Sequence, residues 1–198
     1  MNSTLSLHNI SHLALSGKSL LFFGEAMSRL AAYLMGQLVV QDRPIRLIDA
    51  AQAFDPYLIA RIGRHRDVEP RTLLERIHLS RTFTCHQLAT LFCETLPGIG
   101  RSDPLFVLGP CALFYDEQVD LKERRLLFQR VARSMAALSR KGQGLYLFQS
   151  PLSKHVRNLF LGRELGHFVQ CVIQVRTGSQ GIEGLLHQSN LPRQERGA

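Results

Sequence analysis

Apolar residues fall along this chain in two patterns, short continuous blocks and longer segments at helical spacing. The first block, Leu20-Leu21-Phe22-Phe23 behind Ser19, ends at Gly24 and predicts a buried strand. Residues 25–40 then carry good helix formers with apolar spacing, and Arg43-Pro44 breaks that run. Ile45-Arg46-Leu47-Ile48-Asp49 predicts the second strand. Asp55-Pro56 starts a helix that runs to about Gly63, with Asp55 as N-cap and Pro56 in the first turn. Glu69-Pro70 opens a shorter one, and Ile77-His78-Leu79-Ser80 predicts a third strand. A helix from Cys85 to Leu96 is stopped by Pro97-Gly98, and Leu105-Phe106-Val107-Leu108 predicts a fourth strand.

The longest helical segment spans 120–141. Asp120 and Glu123 form a capping-box pattern at its start. Leu127, Val131, Met135 and Leu138 make one apolar stripe, with Arg125 and Arg133 off it. Gly142 and Gly144 end the segment. Leu145-Tyr146-Leu147-Phe148 and residues 168–175 complete six predicted strands. Strands that are continuously apolar and alternate with helices predict an α/β fold with a mainly parallel sheet covered on both faces. Residues 1–18 are polar and aperiodic and predict an N-terminal arm. The chain turns Gln- and Gly-rich after Gly178, which predicts a frayed tail over 179–198. The core is then one domain over 19–178.

Composition changes this picture in one respect. The 198 residues carry a net charge of +8, which favours a polyanionic partner, nucleic acid above all. Cys85, Cys93, Cys111 and Cys171 form no CxxC pair and no zinc-finger spacing, so they read as small buried hydrophobes. Reduced thiols and the lack of a signal-peptide pattern point to the cytoplasm. No uninterrupted apolar stretch reaches the ~18 residues of a membrane span, so membrane insertion is not expected.

Catalytic motifs are weak. Gly17-Lys18-Ser19 imitates the end of a phosphate loop, but it precedes a strand instead of following one, and His12 stands where the first glycine belongs. There is no HExxH and no nucleophile elbow. Asp116, Glu117 and Asp120 cluster after the fourth strand and read as helix-start chemistry, with a divalent metal as the alternative.

Four stretches, taken in order, resemble one family. Leu47-Ile48-Asp49-Ala50-Ala51-Gln52-Ala53-Phe54-Asp55-Pro56 resembles the strand and turn of RecA/RadA-type recombinases, where an I-D-x-E-G-x-F pattern precedes a helix. Residues 77–88, with Arg81, Phe83 and the pair His86-Gln87, resemble the next strand and helix of the archaeal RadA branch. Phe106-Val107-Leu108-Gly109 and the following Leu113-Phe114 resemble the strand of the Walker B carboxylate. Residues 145–149 resemble the strand ending in the family's phosphate-sensing Gln, here Gln149. The resemblance covers residues 19–176. It implies a RecA-like three-layer sandwich with a mainly parallel central sheet.

The departures from that family bear most on function. The turn Gly24-Glu25-Ala26-Met27-Ser28-Arg29 is about three residues shorter than a phosphate loop and lacks its Gly-Lys-Ser/Thr. Ala51 replaces the catalytic Glu, and Gly109 replaces the Walker B Asp. Only Gln149 matches. Without the cation, the base and the metal anchor, phosphoryl transfer has no machinery. A non-catalytic paralogue follows, needing no cofactor. It would act in recombination or repair by binding a recombinase or repair protein, single-stranded DNA, or both, and could oligomerise. Ser28 and Arg29 at a helix start leave weak phosphate binding open. Two alternatives remain: an ATPase with an unconventional phosphate loop, and a RecA-like protein-binding regulator, for example of cell division. Lys154, His155, Arg157 and Arg163 occupy the place of the family's second DNA-binding loop and are the nucleic-acid candidates. Further basic residues gather at 61–71 and along 122–141.

Overall fold

The computed structural model describes residues 4–14, 18–99, 103–115, 118–151, 160–178 and 181–189. Its strands are β1 (Thr4–Ser6), β2 (Ser19–Gly24), β3 (Ile45–Asp49), β4 (Ile77–Arg81), β5 (Leu105–Leu108), β6 (Leu145–Gln149), β7 (Cys171–Gly178) and β8 (Gly181–Ser189). Its helices are α1 (Leu7–Ala14), α2 (Met27–Val39), α3 (Pro56–His65), α4 (Pro70–Glu75), α5 (Cys85–Thr90), α6 (Leu121–Arg140) and α7 (Phe160–Gly166). The strands form one sheet in the order β1-β8-β7-β2-β6-β5-β3-β4. From β7 to β4 all neighbours are parallel, while β8 and β1 add antiparallel pairs at one side. The protein is therefore an α/β domain with a mainly parallel sheet.

Side-chain alternation divides each central strand between two apolar layers, as the period of two requires. Leu20, Phe22, Leu47, Phe106, Phe148 and Ile173 join one buried cluster with α2 and with Ile59 and Leu73 of α3 and α4. Leu21, Ile48, Val107 and Leu147 join the other, with α5, α6 and Leu161 and Leu165 of α7. On the first face an aromatic ladder crosses three adjacent strands. Phe22 stacks on Phe148 at 5.0 Å between ring centres, and Phe148 on Phe106 at 5.8 Å. Such cross-strand pairs add to what burial alone contributes and hold neighbouring strands in register.

Local signals in the sequence are used where they stand. Asp55 accepts a hydrogen bond from Tyr57 N at 2.9 Å and caps α3. Asp120 caps α6 by accepting from Lys122 N and Glu123 N. The capping box is only half made, because the Glu123 carboxylate turns to His86 Nε2 at 3.0 Å. Leu127, Val131, Met135 and Leu138 are buried and Arg125 and Arg133 exposed, as their spacing predicts.

Four expectations need correction. The polar lead-in is no loose arm: β1 pairs with β8, and Ile10 of α1 is 0% exposed. Leu7, Ile10 and Leu13 recur every third residue and pack onto the first cluster, a face too narrow to stand out among polar neighbours. The expected frayed tail is β8 as far as Ser189, with Ile182 and Leu186 packed inward. The helix predicted over 85–96 is α helical only to Thr90, then widens into a π turn at Leu91–Thr95 and tightens at Leu96–Gly98. The last parallel strand also sits three residues later than predicted, at Cys171–Gly178.

These burial patterns predict a measurable contrast. Ile10→Ala and Leu127→Ala should each lower unfolding free energy in urea melts by about 2–5 kcal/mol. Leu126→Ala, at a position 60% exposed, should change it by less than about 0.5 kcal/mol.

Candidate functional site

Parallel strands place their C-terminal ends on one edge of the sheet, where open α/β sheets commonly bind ligands. The structure gathers on that edge the positions singled out from the sequence. Gly24 ends β2, Ser28 and Arg29 lie in the first turn of α2, Ala51 follows β3, Gly109 follows β5, and Gln149 ends β6. Because β6 lies between β2 and β5, Gln149 stands between the turn at Gly24 and the turn at Gly109.

The β2 turn is closed. Gly24 has φ 127°, and a Cβ there would collide with Val175 O of β7. The next amide, Glu25 N, donates to the same carbonyl at 3.2 Å. Ala26 follows at φ 55° and is the N-cap of α2, with no side-chain cap. A phosphate cradle requires successive N–H groups turned toward an anion; here the first of them is held by β7. Met27 is buried, Ser28 half-buried and Arg29 exposed.

The β3 turn is built around Asp49, which is 0% exposed. Its carboxylate accepts from Ala53 N at 2.9 Å and Phe54 N at 3.1 Å, with Arg81 Nε at 3.7 Å. Gln52, at φ 54°, donates from Nε2 to Asp49 O and Thr82 O. Asp49 thus organises the loop and was missed as a functional position, though its conformation-setting role is the usual one for Asp before a turn.

The β5 turn faces it. Gly109 has φ 70°, and a Cβ on it would lie 2.5 Å from Ala51 Cβ and 3.1 Å from Ala112 Cβ. Gly109 therefore packs closely against Ala51, while Ala51 itself stays exposed. Gln149 is also committed: Oε1 accepts from Cys111 N at 3.0 Å and Nε2 donates to Ser150 O at 2.8 Å. Its amide locks the β5 turn to the end of β6.

Beside this edge a cleft of about 640 Å³ opens between β2, β6, β7 and α7. Phe23, Cys111, Gln149, Gln174, His167 and His187 are among its lining residues. His187 Nε2 meets Gln174 Oε1 at 2.8 Å, and its ring lies 5.5 Å from that of Phe23. These β8 contributions were invisible to a reading that ended the core at Gly178. The Cys111 thiol is pushed up from its ordinary value near 9 to about 12, first by burial and then by the Glu164 carboxylate. Burial and that negative charge both favour the neutral thiol over the thiolate that would act as a nucleophile. Among the described residues no three His, Cys, Asp or Glu converge on a metal position.

Lys154, His155 and Arg157 lie outside the described residues, as do Gly17, Asp116 and Glu117. Arg163 lies in α7, with its side chain outside the described set. Ser19 opens β2, so the Gly17-Lys18-Ser19 triplet ends where that strand begins. No helix among the described residues is long and apolar enough to cross a membrane. No protein-family model matches the chain, and no curated protein matches it.

Two tests follow from the packed edge. Gly109→Asp should fail to create magnesium binding and should destabilise the fold by about 2 kcal/mol or more, from left-handed strain plus overpacking. Urea melts and magnesium calorimetry on the variant read both. The raised Cys111 value sets the sign of a pH effect. Above pH 9 the unfolded thiol releases its proton while the folded one keeps it. Stability therefore falls as pH rises from 9 toward 12, and Cys111→Ala should remove part of that fall in melts run across the range.

Proposed function

We propose that this chain is a non-catalytic RecA/RadA-like paralogue, a three-layer core that acts in DNA recombination or repair by binding a partner protein, DNA or both. Support for the likeness comes from placement. The four stretches that resemble the family fall on four strands of the parallel sheet, and the positions of its phosphate turn, base, metal anchor and sensing Gln share one edge. Gln52 stands at the glycine of the I-D-x-E-G-x-F pattern and holds φ 54°, the left-handed conformation that glycine adopts without strain.

The observation that carries the non-catalytic part is the contact between Ala51 and Gly109. It leaves no room for a side chain at the metal-anchor position, the base position carries only the exposed methyl of Ala51, and the Glu25–Val175 hydrogen bond closes the phosphate turn beside them. Binding in place of catalysis has support at the far side of the sheet. β4 is the open end of the parallel run, with Leu79 40% exposed. Phe83 just beyond it is 64% exposed. Thr84 and Gln87 hold the turn that presents Phe83: Gln87 N donates to Thr84 Oγ1, and Phe83 N donates to Gln87 Oε1 at 2.8 Å. An exposed edge strand followed by a fixed, exposed aromatic suits a partner that adds a strand and takes up the ring.

Calorimetry of the full chain with ATP and Mg²⁺ should give no measurable heat of binding. A dissociation constant in the low micromolar range, about −8 kcal/mol, would overturn the reading and favour an ATPase with an unconventional loop through Ser28, Arg29 and Gln149. Capture from native cells should recover a recombinase, polymerase or repair nuclease, and Phe83→Ala should lose it. A septum-associated partner would instead favour a regulator of cell division.

A further inference from the structure

The α6 helix carries more positive charge than its packing explains. Leu127, Phe128, Val131, Ala132, Met135 and Leu138 bury one side of it. At about 100° per residue, Lys122, Leu126, Gln129, Arg130, Arg133, Arg140 and Lys141 fall within an arc of about 120° on the other side. All seven are exposed. Arg140 and Lys141 complement the negative end of the helix dipole. Arg130 and Arg133 do not: they sit mid-helix, three residues apart, where like charges repel. Among the described residues none of Arg130, Arg133, Arg140 and Lys141 pairs with a carboxylate. Glu123 is the acid on α6, and it faces His86.

A second observation falls on the same face. Arg133 and Arg140 line a shallow cleft of about 390 Å³ against the segment leading into β7, together with Ser139, His167 and Gln170. Its lining brings together two guanidiniums, the hydroxyls of Ser19 and Ser139, an imidazole and the Gln170 amide, whose Oε1 accepts from Ser19 N, and it includes no carboxylate. Guanidinium pairs of this kind match phosphate oxygens in geometry as well as charge.

We propose that the exposed face of α6 binds the phosphate backbone of a nucleic-acid duplex, with one phosphate seated in the Arg133–Arg140 cleft. From Arg130 to Lys141 the helix rises about 17 Å, the axial rise of about five base pairs of duplex. The other exposed residues within this arc of α6 are Leu126 and Gln129, and the rings in the adjoining cleft, His167 and half-buried Phe168, lie off the helix, so α6 itself offers no stacking platform for a run of unpaired bases. That favours a duplex over a single strand. The surface is on the α5–α7 side of the sheet, and residues 130–141 lie C-terminal to Glu123, where α6 meets His86 three residues after Phe83. The proposal does not depend on the reading of the ATP edge: tight ATP binding would defeat that reading and leave this one standing.

The experiment is a salt titration of binding to a short fluorescent DNA duplex by the full chain. The variant Arg130→Gln/Arg133→Gln/Arg140→Gln removes three charges from α6. The control Arg61→Gln/Arg64→Gln/Arg66→Gln removes three exposed charges from α3 and the residue after it, on the opposite face of the sheet. Duplex binding loses about 0.9 in logarithmic salt slope per phosphate contact removed. The α6 variant should therefore flatten the slope by about 2–3 units, and the control should keep the wild-type slope. Thermal melts that match wild type establish that both variants fold. Equal slopes for wild type and the α6 variant, equal flattening in the control, no duplex binding at low salt, or tighter binding of the matching single strand would each overturn the proposal.

Discussion

Glu25 N donates to Val175 O at 3.2 Å, and the layout of the whole C-terminal edge depends on that bond. β2 lies inside the sheet between β7 and β6, buried on both faces, so the chain leaving it has little freedom. With only Gly24, Glu25 and Ala26 before α2 begins, it cannot arch outward. It turns sideways against β7 at a glycine with φ 127°. That choice seats α2 close to the sheet, where Leu30, Ala31, Leu34 and Leu38 all become buried. A longer loop would hold the first amides of the turn open to an anion; this one satisfies the first of them internally.

The neighbouring turns obey the same requirement that buried backbone groups find partners. Asp49 takes two amides of its own loop, Gln149 takes Cys111 N, and Gly109 brings its strand end against Ala51. Each is a polar or small residue fixed by what surrounds it. Together they make an edge at which these hydrogen-bonding groups are turned inward.

Besides the cleft next to that edge, two further surfaces are exposed. β4 presents an unpaired edge and Phe83 on one side of the domain, and α6 presents a cationic face on another. Leu79 and Phe83 on the one, and Arg130 and Arg133 on the other, stand in water where neither burial nor the helix dipole accounts for them.

The amino-acid sequence by itself determined the strands at 19–23, 45–49, 77–80, 105–108 and 145–148, because each is an apolar block bounded by turn residues. It determined the phase of α6 and the cap at Asp120, since both depend on spacing within a few residues. The candidate edge was legible as far as Gly24, Ala51, Gly109 and Gln149, all at strand ends. Only the tertiary structure decided the rest. β1, α1 and β8 are too polar to announce themselves; their order comes from pairing 180 residues apart, Thr4 with Leu185, and from the buried Ile10. The contact of Ala51 with Gly109 joins residues just beyond the ends of adjacent strands, β3 and β5, whose pairing no local pattern encodes. The role of Val175 in closing the β2 turn depends likewise on β7 lying beside β2. Local periodicity records which residues a segment buries, whereas strand order, and with it every contact across the edge, is a property of the assembled sheet.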